Sequence, residues 1–150
     1  MKPVCYIWGA DMVLFGNDVV TVFNRYFDDD TETEKWFPTL LTNVNLVITN
    51  GMNIEKSGLE SADKVKLFLD EKASTIPFLS KRMWNALSNK TEGFTFQEGE
   101  DFFVKGDFIN IQIPDEDFLE YMLNTYDDVF RVTTVDVFEN VMPHMEVGGK

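Results

Sequence analysis

Hydrophobic and polar positions alternate with a period of two along most of this chain, the signature of half-buried β-strands. Val19–Tyr26 is the clearest case in the first half. Val20, Val22 and Asn24 face one way and Val19, Thr21, Phe23 and Arg25 the other, and both sets carry apolar residues, which predicts a central strand. Lys35–Leu41 and Val44–Thr49 read as two further strands with Asn43 at a bend or bulge between them. Lys64–Leu69 places Val65, Leu67 and Leu69 on one face. Thr91–Glu98 sets Phe94 and Phe96 against Thr95 and Gln97, and Phe102–Val104 and Phe108–Ile113 follow between glycine-bearing turns, the last stopped by Pro114. A strand of about eight residues rich in β-branched side chains runs from Phe130 to Val137. Near the start, Val4–Trp8 and Met12–Phe15 flank Gly9-Ala10-Asp11 as a hairpin, and residues 50–62 read as a long polar loop.

Helical spacing shows in two places. Ser80 is a good N-cap ahead of Met83, Trp84 and Leu87, which share one helical face. Asp115 or Asp117 caps a second helix running to about Tyr126, with Phe118, Met122 and Tyr121 toward the inside. Eight or nine short strands with two short helices predict a mainly β fold: a small antiparallel β-barrel or sandwich with one or two short helices and long loops. The strands lie too close together for βαβ crossovers. At 150 residues the chain is expected to be a single domain, 1–150, without repeat or linker.

Charge narrows the function. Acids outnumber bases 26 to 13, a formal net charge of −13, and no basic run exists, so binding to a nucleic-acid backbone through phosphate neutralisation is not expected. Hydrophobic residues at 44% and fourteen phenylalanines argue against disorder despite that charge. No run approaches the length needed to span a bilayer, and the N-terminal residues lack a signal-type h-region, so a chain made in the cytosol with no membrane partner is expected. A single cysteine, Cys5, and a single histidine, His144, cannot furnish a disulfide framework, a zinc site or a nucleophile–base pair. No phosphate-cradling glycine motif occurs. The expectation is a protein without catalytic activity and without a cofactor.

Two stretches stand out as interaction candidates. Asp28, Asp29, Asp30, Glu32 and Glu34 form an acidic turn. An EF-hand reading fails, because the sixth and twelfth positions counted from Asp28 hold Thr33 and Thr39 where glycine and glutamate are required. The turn is expected to be solvated, and to suit a channel wall that repels sliding DNA. The second stretch follows Pro143. Its residues His144, Met145, Glu146 and Val147, with Gly148-Gly149-Lys150, are expected outside the core, where Pro143–Val147 would add as an edge strand to a neighbouring subunit.

The ending also resembles a family. Thr133-Thr134-Val135 followed by His144-Met145-Glu146-Val147-Gly148-Gly149-Lys150 is similar to the close of small tailed-phage virion proteins of the head–tail connector. In the first half, Val20–Asn24, Phe37–Leu41, Val44 and Ser57–Asp63 occur in the same order as in those proteins. The resemblance implies a stopper-like minor capsid or head-closure component of the virion. It implies identical copies forming a ring at the portal exit, through which DNA passes, with portal, adaptor and tail proteins as partners. The charge alone suggests an alternative, an acidic DNA mimic that inhibits a host nuclease or restriction system. The acids scatter among loops rather than along one face at phosphate-like intervals, which favours the connector reading.

Overall fold

The computed structural model describes residues 16–49, 64–139 and 143–150. The expected hairpin at Val4–Phe15 and the loop at 50–62 lie outside these residues. Among the described residues six strands close into an antiparallel barrel: β1 (Asp18–Asp28), β2 (Thr33–Ile48), β3 (Val65–Leu69), β4 (Phe102–Lys105), β5 (Val129–Phe138) and β6 (His144–Gly149). Around the barrel the order is β1-β2-β3-β6-β5-β4, with β4 returning to β1. Two three-stranded meanders, β1-β2-β3 and β4-β5-β6, therefore meet along the β3–β6 and β1–β4 seams. Closure removes the free sheet edges that a sandwich would have to protect.

The strands β2 and β5 turn the corners. β2 pairs with β1 from Thr33 to Val44 and with β3 from Asn45 to Ile48, while β5 pairs with β4 from Val129 to Arg131 and with β6 from Val132 to Phe138. Each carries one extra residue at the changeover. Asp18 opposes Val44 but Val20 opposes Leu41, and Val132 opposes Gly149 but Thr134 opposes Gly148. Such bulges bend a strand and sharpen its twist, which is what a narrow barrel requires. The two strands expected at 35–41 and 44–49 are thus one strand, and Asn43 sits at the bend with φ +57°, a conformation asparagine tolerates better than most.

Apolar residues fill two layers. Inside the barrel lie Val20, Val22, Leu41, Val44, Leu67, Phe103, Val132 and Val147, with Phe94 and Phe96 packed among them. Outside the wall formed by β1, β2 and β4, Phe23, Trp36, Phe102 and Val104 are covered by Phe118 and Met122 of a helix, Phe118–Thr125. β1 is consequently buried on both faces, as its doubly apolar pattern predicts: Val20 through Asn24 are all at 0% exposure. β3 keeps the alternation expected of it, with Val65, Leu67 and Leu69 inward.

Three expectations are corrected. The Phe94–Gln97 stretch is extended but not a ladder strand, its β-pairing being a lone bridge between Phe78 and Phe94. Phe108–Ile113 is irregular, because Phe108, Ile111 and Ile113 pack down onto the outer layer rather than against a strand partner. The largest correction concerns the C-terminal stretch. Residues 144–149 are a barrel strand paired on both sides, to β3 from Leu69 to Val65 and to β5 from Phe138 to Val132. Met145, Val147, Gly148 and Gly149 are buried. A strand whose two edges are already paired has no ladder to offer a neighbour, so Pro143–Val147 does not add to another subunit's sheet; only Pro143 is fully exposed. The glycines belong to the core because there is no room for more. A Cβ on Gly149 would lie 3.0 Å from the Arg131 carbonyl oxygen and 3.1 Å from Phe103 and Phe130.

A chain truncated after Asn140 loses β6, opens the barrel, and exposes Leu67, Val132 and their neighbours. Burial of Met145 and Val147 alone contributes ~1.5–3 kcal/mol each, a large share of the ~5–15 kcal/mol margin of a small domain. The truncated chain is expected to show no cooperative thermal transition by circular dichroism. A transition close to that of the full chain would show that β6 is dispensable.

Candidate assembly surfaces

β4 is only four residues long, so the strands on either side of it, β1 and β5, extend beyond it without a common neighbour. The segment from Phe94 to Asp101 fills that gap. Toward β5 it uses its backbone: Gly99 donates to the Val132 carbonyl at 2.9 Å and Val132 donates back to the Asp101 carbonyl at 2.9 Å. The Glu98 carboxylate accepts from the Val135 amide at 3.1 Å. Toward β1 it uses side chains, and Asp101 is their centre. One oxygen, Oδ1, accepts from the Arg25 amide at 2.7 Å and from Gln97 Nε2 at 2.9 Å. The other, Oδ2, accepts from Asn24 Nδ2 at 2.8 Å and from the Gln97 amide at 2.7 Å. Asn24 also holds the Thr95 backbone at both its N–H and its carbonyl, and Gln97 Nε2 donates to the Arg25 carbonyl at 3.0 Å. Among the described residues Thr95 Oγ1 is the buried side-chain atom without a partner.

Burial pushes the Asp101 carboxyl up to about 6, against the pull of its four donors, which favour the charged form. This buried polar set fastens backbone to backbone. Nothing in the pattern of the sequence singled out Asp101, since Asn24 lies 77 residues away from it.

The β1–β2 hairpin that this clasp supports is two-faced. Directly paired residues share a face, so Phe23, Arg25 and Phe27 of β1 lie on one side with Glu34 and Trp36, and Asn24 and Tyr26 on the other with Lys35 and Phe37. On the first side α2 (Phe118–Thr125, the second of two α-helices) packs through Phe118, whose ring meets Phe23 at 5.1 Å and Trp36 at 5.9 Å. On the other side α1 (Lys81–Asn85) packs through Trp84, edge-on to Tyr26 at 6.4 Å and to Phe37 at 6.0 Å. Ser80 caps α1 as expected, accepting from the Met83 amide at 3.3 Å. Lys90 closes its far end, donating to the Asn85 and Leu87 carbonyls at 2.9 and 2.6 Å with its ammonium 4.5 Å from the Tyr26 ring centre, and burial lowers its pKa. Met83, expected inside with Trp84, instead points out at 57% exposure. A five-residue helix has room for one anchor on its buried face. Tyr121 of α2 is likewise exposed, and Asp117, the residue before α2, has φ +53° and makes no side-chain capping bond.

The acidic turn lies at the tip of the hairpin, and its five carboxylates divide into two kinds. Asp28 accepts from the Asp30 amide at 3.0 Å and pairs with Lys35 at 3.2 Å, and that lysine holds its pKa below the usual carboxylate value. Glu34 pairs with the Arg25 guanidinium and accepts from Trp36 Nε1 at 3.0 Å. Asp29, Asp30 and Glu32 face solvent, and Phe27 just below them is 44% exposed. β5 runs parallel in direction to β1, since both are antiparallel to β4, so the β5–β6 hairpin projects from the same end of the barrel. It presents Val137 and Phe138, with His144 stacked on Phe138 at 4.8 Å and its Nε2 3.0 Å from Glu146. Among the described residues no group of three or more metal-ligating side chains occurs, and no helix is long and apolar enough to cross a membrane.

Beside the hairpin a groove of about 700 Å³ runs between the start of β2 and the strap at 113–116. Its walls include Trp36, Phe37, Ile113 and Pro114, and Asp115 and Glu116 stand on its rim. The sequence hinted at the groove only through Pro114, which ends the alternation at Ile113.

The chain belongs to the DUF6751 family, a family of unknown function, which it matches over residues 15–150. Comparison with curated proteins and with solved structures gives no significant match.

The Asp101 side chain is accessible to a direct check. Its folded pKa of about 6 lies above the ordinary aspartate value of 3.8, so the folded state holds the proton more tightly. Protonation of this group therefore adds stability that is fully present below pH 4 and lost as pH rises through 6, by up to about 3 kcal/mol, which leaves the carboxylate's four hydrogen bonds to hold the seam at neutral pH. A carbon-detected NMR titration is expected to show the Asp101 carboxyl changing with a midpoint near 6, and stability falling over the same interval. A midpoint at or below 4 would show that the four donors outweigh burial.

Proposed function

We propose that this protein is a structural component of a tailed-phage virion, of the head–tail connector type, acting by assembly rather than chemistry. In this reading identical copies form a ring at the portal exit, in contact with portal, adaptor and tail proteins, and packaged DNA passes through the bore. The observation that carries the reading is the use of polar groups inside the fold. The buried carboxylate Asp101, with Asn24 and Gln97, is committed to backbone amides and carbonyls, as in a scaffold.

Two further features support it. The order of short motifs in the sequence resembles that of connector proteins. Large apolar side chains, Phe27, Val137 and Phe138, stand exposed on two hairpins that project from one end of the barrel, beside solvated acids. Apolar residues raised on a charged rim suit a surface that another protein covers. Asp29, Asp30 and Glu32 would face DNA without adhering to it, since like charges repel within a Debye length of ~8 Å at physiological salt.

Sedimentation of the purified chain over a concentration series, followed by electron microscopy, tests the reading. Association into closed rings of one size is expected, with no retention of duplex DNA at physiological salt. Salt-sensitive DNA retention would contradict it. So would nuclease, phosphatase or esterase turnover abolished by one carboxylate, serine or His144 substitution.

A further inference from the structure

The groove at 113–116 and helix α1 complement each other, and they adjoin at Phe37, which lines the groove and meets Trp84 of α1 at 6.0 Å. The groove is lined by the apolar Trp36, Phe37, Ile113 and Pro114, by Glu34 and Lys35, which pair with Arg25 and Asp28, and by Asp115 and Glu116, which make no ion pair among the described residues. Its far wall leads into α2, which covers the Trp36 side of the β1–β2 hairpin. Helix α1 lies on the Phe37 side and turns outward a thioether, Met83, next to a guanidinium, Arg82. Among the described residues Arg82 makes no ion pair, whereas its neighbour Lys81 is held by Glu100 at 2.6 Å. An unbranched apolar side chain beside an unpaired cation is the chemical counterpart of an apolar slot with unpaired carboxylates at its rim.

We infer that α1 of one copy docks in the groove of a second copy, Met83 on the apolar floor and Arg82 against Asp115 and Glu116. Exchanged reciprocally, the contact makes a dimer; taken head-to-tail, each copy gives α1 to one neighbour and receives α1 from the other. Repetition of such a contact closes into a ring when the rotation permits and otherwise continues as a filament. One helical turn in one groove is a small interface by the standards of stable pairs. Closure strengthens it, since every copy in a ring is held twice. The net charge of −13 opposes association at low salt, so the contact is favoured at moderate ionic strength, where long-range repulsion is screened and the short-range pair survives. The inference rests on the assembly reading above and names the residues through which copies of the chain would meet.

The test uses two full-length variants, Arg82→Glu and Glu116→Lys. Both residues are exposed, so unchanged thermal melting is expected of each. Arg82→Glu sets an acidic plug against an acidic rim, and Glu116→Lys leaves the basic plug facing a rim whose net charge is cancelled, with Asp115 its one acid. In sedimentation, each variant alone is expected to associate at least ~10-fold more weakly than the natural chain. An equimolar mixture is expected to regain association, because every contact between unlike chains is again complementary. Rings that form equally well from either variant alone would overturn the contact and leave the assembly reading standing. So would a mixture no better than its components. A natural chain that stays monomeric to ~1 mM would overturn both, and leave the groove to a basic segment of a different protein.

Discussion

One carboxylate, Asp101, holds together what strand pairing alone leaves apart. β4 is too short to bridge β1 and β5 along their length, and the segment before it must substitute for a strand. Toward β5 the segment 94–101 pairs by backbone, and toward β1 by a carboxylate that takes two amides and two side-chain amides. Buried amides left unpaired cost ~1–3 kcal/mol each. One acceptor that satisfies four donors is therefore an efficient closure, even though its own burial disfavours the charge it carries.

The clasp has consequences beyond the seam. It anchors β1 at Asn24 and Arg25, just where the β1–β2 hairpin leaves the barrel, and so fixes the angle of that projection. The hairpin in turn is the wall on which α2 and α1 are mounted, through Trp36 on one side and Phe37 on the other. Consecutive residues of a strand point to opposite faces. Two adjacent aromatics thus carry α2 on one face of the hairpin and α1 on the other, and both also line the groove beside it.

The strands were legible in the sequence wherever a simple period of two met a ladder partner. Val65, Leu67 and Leu69 alternate and are buried, and β1 is apolar on both faces because the barrel lies on one side and α2 on the other. The same pattern misled at Phe94–Gln97. There the alternation is real, with Phe94 and Phe96 in the core and Gln97 in the clasp, but the partners are side chains rather than a neighbouring strand. The C-terminal residues misled in the other direction. Glycines and a terminal lysine read as surface, whereas Gly149 is wanted for close packing against Phe103 and Phe130. Asp101 was invisible as one acid among 26, because its role depends on residues brought together only by the closed barrel. The ends of the acidic turn were equally hidden: Asp28 and Glu34 serve the hairpin through Lys35 and Arg25, and only the middle of the turn is free.

Equilibrium denaturation of Asp101→Ala, compared with the natural chain at neutral pH, tests the central role of the clasp most directly. The substitution removes the acceptor and strands four buried donors, so a loss of about 3 kcal/mol or more is predicted. It should be accompanied by fast amide exchange at Arg25 and Gln97. A change below about 0.5 kcal/mol, the range typical of surface positions, would contradict the account.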